Sequence, residues 1–152
     1  MKDTEYTVGQ VADALRVSLP ALRTWAQRGF IPWVDSGEGS WRKFKQDQVA
    51  GAAILNTLTQ YGVTVGAAST IVSTAMAAVE CDRAALVQFL ATKQGELILY
   101  AQWDPSGNVQ VQFHDCDNAA TAFCAYDSRR RAMYEVGADI AEALARLENP
   151  KS

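Results

Sequence analysis

The chain has 152 residues, of which 49% are hydrophobic and 20% charged, and a formal net charge of −3. That supplies one ordinary domain, or two small ones sharing a core, and excludes a disordered chain. No apolar run reaches the roughly 18–20 residues of a membrane span, and the N-terminus lacks the basic-then-apolar layout of a secretory signal, so a cytoplasmic protein with no membrane partner is expected.

The charge is unevenly placed. Residues 16–45 carry six cations (Arg16, Arg23, Arg28, Arg42, Lys43, Lys45) against Asp35 and Glu38. From residue 80 onward eleven acids face seven bases. Such lopsidedness suggests two tasks in two halves.

In chain order, "TVGQVADAL" predicts a helix with Thr7 as cap and Gln10 completing a capping box. Val8, Val11, Ala12 and Leu15 share one face. After a turn at Arg16-Val17, Ser18 is a second cap, Pro20 sits in the first turn and Gly29 is a stop for "LPALRTWAQR". On this second helix Leu19, Leu22, Trp25 and Ala26 point inward, leaving Arg23, Gln27 and Arg28 exposed. Two short helices with a minimal turn form a helix-turn-helix pattern. "FIPWV" and "WRKF" read as two strands of a wing joined by "DSGEGS". A third helix is expected over about 46–61 and a fourth over about 64–79.

The second half changes character. "DRAALVQFLATKQG" predicts an amphipathic helix, and "ELILYAQWD" and "NVQVQFHD" flank "PSG" as a β-hairpin. "DNAATAFCAY" and "RRRAMYEVGADIAEALARLE" predict two further helices. On the last, Met133, Val136, Ile140, Leu144 and Leu147 fall at near-heptad spacing. Core packing is the ordinary use of such a stripe, and dimerisation the alternative carried forward. The fold class expected is α+β and mostly α: a winged helix-turn-helix domain at 1–79, then a dimerisation and possible regulatory domain of helices and a hairpin at 80–152.

Residues 6–68 resemble the DNA-binding domain of MerR-type regulators, through "YTVGQVADALRVS", "LRTWAQRGFIP", "WRKF" and "LNTLTQYGVTV" in family order. The resemblance implies a homodimer, with each second helix and wing against a half-site of double-stranded DNA. By position, Arg23 and Trp25 take the arginine and an aromatic place of the second helix. Arg42 and Lys43 take the basic pair of the wing, flanked by Trp41 and Phe44. The chain departs from the pattern at Pro20, Thr24, Ala26 and Lys45, and wholly beyond residue 80, where typical members carry a long dimerising helix.

Duplex binding needs cations spaced on phosphates and donors aimed at base edges. Arg23, Thr24, Gln27 and Arg28 offer donors on one helix surface, and Ser18 with its neighbouring amides suits a phosphate. Arg42 and Lys43 suit the backbone, and the Trp41 ring suits packing under a cation or an indole N–H to phosphate. His114, Cys116 and Cys124 lack the partners of a tetrahedral metal set. No metal, cofactor or enzymatic activity is expected. The reading is a dimeric, sequence-specific transcriptional regulator on an inverted repeat, its effector unidentified. An excisionase-like architectural factor, or a ligand or metal sensor acting through the C-terminal domain, remain alternatives.

Overall fold

The computed structural model describes residues 4–31, 43–77, 89, 97–114 and 130–150. Strand β1 (Tyr6–Thr7) leads into α1 (Val8–Leu15) and α2 (Leu19–Gln27). Strand β2 (Lys43–Phe44) precedes α3 (Gln46–Gln60) and α4 (Val65–Ala77). Strands β3 (Ile98–Trp103), β4 (Val109–His114) and β5 (Arg130–Glu135) form one antiparallel sheet in the order β4-β3-β5, and α5 (Gly137–Glu148) follows. The architecture is α+β with helices predominant.

The caps expected of α1 and α2 are formed. Gln10 N donates to Thr7 Oγ1 at 3.3 Å, and Thr7 N donates to Gln10 Oε1 at 2.8 Å. Ala21 N donates to Ser18 Oγ at 3.3 Å. Helix α2 ends in a Schellman pair, Gly29 N to Ala26 O and Phe30 N to Trp25 O, with Gly29 at φ +70°. At the start of α3, Lys45 provides half a capping box: its backbone N–H donates to Gln48 Oε1 at 2.8 Å.

Helix α3 is buried on every side. Val49 through Leu55 are all inaccessible, as are Thr57 and Leu58. A helix that is apolar all round belongs at the centre of a fold, and α1, α4 and α5 pack around it. The small run Ala50-Gly51-Ala52-Ala53 gives those neighbours a low surface to pack on. The core is continuous from Val11, Leu22 and Phe44 through α3 to Leu99, Phe113, Ile140 and Leu144.

Two expectations are corrected and one, the second, is extended. The run expected as one helix from Arg129 onward is strand β5 and then α5. Six residues of β5 pair with β3, from Ile98↔Glu135 to Trp103↔Arg130. The Leu97 carbonyl then accepts both Val136 N and Gly137 N, at 3.0 and 3.2 Å, which turns the chain out of the sheet into the helix. Gly137 is required there, because a Cβ would lie 2.8 Å from Leu97 N. The hairpin is accordingly two strands of a three-stranded sheet. Its β3–β4 connection is as expected, with Asp104 accepting Asn108 N at 2.9 Å and Gly107 at φ +90°. Second, strand β2 pairs with β1, Tyr6↔Phe44 and Thr7↔Lys43, a partner not anticipated; the rest of the expected wing, residues 32–42, lies outside the described residues.

Third, the stripe assigned to a dimer faces largely inward. Val136, Ile140 and Leu144 are fully buried and Leu147 nearly so, packed in their own chain's core. A surface already filled by its own chain is not open to a second copy. Only Met133 of the five is exposed, on β5. The helices expected at 82–95 and 117–126 lie outside the described residues except Phe89, which is helical and buried.

Candidate nucleic-acid interface

Helix α2 is held by one side and open on the other. Leu22 and Ala26 are fully buried, and Leu19 and Trp25 are half-buried against the core. Their positions leave Arg23, Thr24, Gln27 and Arg28 exposed, as the helical period requires. Arg23 and Gln27 form one row four residues apart, Thr24 and Arg28 the next. The Thr24 hydroxyl donates to Pro20 O at 2.9 Å, which fixes its rotamer and leaves its oxygen as an acceptor. Ser18 is exposed at the N-terminal end of the same helix.

The start of α2 is fixed by a short, strained turn. Arg16 adopts the left-handed conformation at φ 54°, the one non-glycine residue to do so among those described. Val17 and Ser18 complete the connection. At the other end, Ser69 Oγ on α4 donates to Phe30 O at 3.2 Å and ties down the chain that leaves α2.

Of the wing, Lys43 and Phe44 are described. Phe44 is fully buried and Lys43 exposed, as alternation along a strand dictates. The Lys43 ammonium lies 3.0 Å from Glu5, a pairing not visible in the basic-run reading. Both side chains are largely solvated, so the pair is weak and readily exchanged for another anion. Trp41 and Arg42 lie outside the described residues.

The sequence reading also missed the residues that brace this region from the C-terminal half. Arg146 on α5 donates to Ala14 O at 2.6 Å and pairs with Glu142. Asn56 donates to Leu15 O at 3.3 Å, and Thr57 donates to Asp139 Oδ2 at 2.6 Å. An Arg four residues after a Glu on an amphipathic helix was legible as an i,i+4 pair; its carbonyl partner 132 residues away was not. The side chains of Arg16, Asn56, Asp139, Glu142 and Arg146 line a polar cleft of about 170 Å³ between α1, α3 and α5. Among the described residues no cluster of His, Cys, Asp and Glu is arranged to hold a metal ion, and no helix is long and apolar enough to cross a membrane.

Two short helices joined by a tight turn, the second presenting Arg23, Gln27 and Arg28 to solvent, form a helix-turn-helix. Residues 6–75 match the model of a family described as MerR HTH family regulatory protein, and this part of the chain is similar to that family's helix-turn-helix region. No curated protein matches the chain.

Proposed function

We propose that the protein is a sequence-specific transcriptional regulator that binds an inverted repeat as a homodimer in the cytoplasm. The observation that carries this reading is the two-sidedness of α2: Leu22 and Ala26 anchored in the core, and Arg23, Thr24, Gln27 and Arg28 presented together to solvent. A rigid helix with donors spaced at three and four residues suits the major groove, where arginine reads guanine and an amide reads adenine. Ser18 and the amides beside it meet a phosphate at the start of the helix. Lys43 exchanges Glu5 for a phosphate, and by resemblance to the family Arg42 and Trp41 continue that contact along the wing. A two-fold protein matches a two-fold site; Met133, exposed on the edge strand β5, is the member of the expected dimer stripe open to a partner. The C-terminal half, 80–152, sets the distance between half-sites.

Selection from a random duplex pool followed by fluorescence anisotropy tests the reading. A palindromic site should emerge and bind two chains. Arg23→Ala should lower affinity for it by about tenfold or more, the loss of a base or phosphate contact worth about 1–3 kcal/mol. Lys43→Ala should lower the slope of log K against log salt by about 1. Failure to enrich any site, or unchanged affinity in both variants, would overturn the proposal.

A further inference from the structure

We infer that Arg146 is a positioning residue for DNA binding: from α5 it completes the capping of α1 and so fixes the angle at which α2 is presented. The inference rests on the reading of α2 as the recognition helix. An α-helix leaves its last four carbonyls without partners inside the helix, and in α1 all four are satisfied. Two are met by the turn itself, Val17 N to Ala12 O at 3.0 Å and Arg16 N to Asp13 O at 3.2 Å. The other two are met by side chains from far along the chain, Asn56 to Leu15 O and Arg146 to Ala14 O.

The bond to Ala14 is the shorter of those two. The Arg146 side chain is 24% exposed and Ala14 is buried, so water does not freely replace the guanidinium. A cation is also favoured at the negative end of a helix. Arginine does what lysine does not: Nη1 reaches Ala14 O while Nη2 meets Glu142, two acceptors held by one planar fork. Glu142 in turn stands 4.0 Å from Arg16, the strained residue of the turn. Only Val17 and Ser18 separate that residue from α2, so the connection has no slack to absorb a shift at the end of α1.

The test compares the full chain with Arg146→Ala, Arg146→Lys and Arg23→Ala on the selected duplex and on an unrelated one, over a range of salt. Amide hydrogen exchange at residues 16–18 is followed in parallel. Arg146→Ala should lose about threefold to tenfold in affinity for the selected duplex. Its salt slope and its binding to the unrelated duplex should match the unmodified chain, and exchange at residues 16–18 should rise. Arg146→Lys should recover only part of the loss. Full affinity in Arg146→Ala beside a weakened Arg23→Ala would overturn the inference and leave the reading of α2 standing. A salt slope lowered by about 1 would also overturn it, because Arg146 would then touch phosphate directly. Full affinity in Arg23→Ala, or no binding by the unmodified chain, would remove the reading of α2 and the inference with it. Should Arg146→Ala not fold, Arg146→Lys and Glu142→Gln carry the same readouts, with unchanged affinity in both overturning the inference.

Discussion

Arg16 occupies a place that glycine takes elsewhere in the molecule. Helices α2 and α3 end on Gly29 and Gly62, both left-handed, in Schellman pairs, and α1 ends in the same hydrogen-bond pattern with an arginine at that position. The Cβ of a non-glycine residue there costs roughly 1 kcal/mol or more. The Arg16 side chain is 76% exposed and stands 4.0 Å from Glu142, a contact too solvated to offset the strain. Arg16→Gly should therefore stabilise the fold by up to about 1 kcal/mol, read as a raised urea midpoint at constant m-value. A lowered midpoint would mean that the arginine stabilises the turn by a route other than its backbone. Thr7, Ser18, Gln10 and Gly29 were legible as caps and stops because each acts on amides within four residues of itself. Arg146 was not, because its carbonyl partner is chosen by packing and leaves no local trace.

At the scale of elements, the sheet and α5 meet at one crowded point. Gly137 lets the chain turn from β5 into α5 against the backbone of Leu97, whose carbonyl takes two amides. Gly137→Ala places a methyl 2.8 Å from a backbone nitrogen, which must shift. The expected cost is about 1–3 kcal/mol, the usual range for overpacking, measured by urea denaturation; a change within about 0.5 kcal/mol, the range of an ordinary surface substitution, would show that the junction yields. The same point explains why the last strand was missed. "RRRAMYEVGADIAEALARLE" has helical spacing throughout if Met133 and Val136 are counted with Ile140, Leu144 and Leu147, and periodicity alone does not place a boundary inside it. The sheet decides, because β3 has a free side and β5 fills it along six residues. Helices α1 and α2 were legible to within about one residue because caps and apolar period agreed, and α3 and the start of α4 were legible from apolar period, whereas strand β1 was too short to show a period of two.

At the scale of the molecule, the C-terminal helix finishes the core that the helix-turn-helix begins. Leu144 is fully buried within a cluster that also holds Val11 and Leu22. Leu144→Ala should cost about 2–5 kcal/mol, and the loss should be the same at any protein concentration, because the contact lies within one chain. A loss that vanishes on dilution would place Leu144 between two chains and not inside one. The exposed face of α2 and the exposed Lys43 were legible because solvent-facing charge needs no tertiary contact to declare itself. The use of α5 was not, since a stripe for a partner and a stripe for the core are the same stripe. The bond from Arg146 to Ala14 also has a meaning in time. The two residues are 132 positions apart, and a ribosome adding about 5–20 residues per second takes roughly seven to twenty-six seconds to cover that distance. For that interval the nascent helix-turn-helix lacks its far cap and its last core helix, so the chain is synthesised well before it is braced to bind.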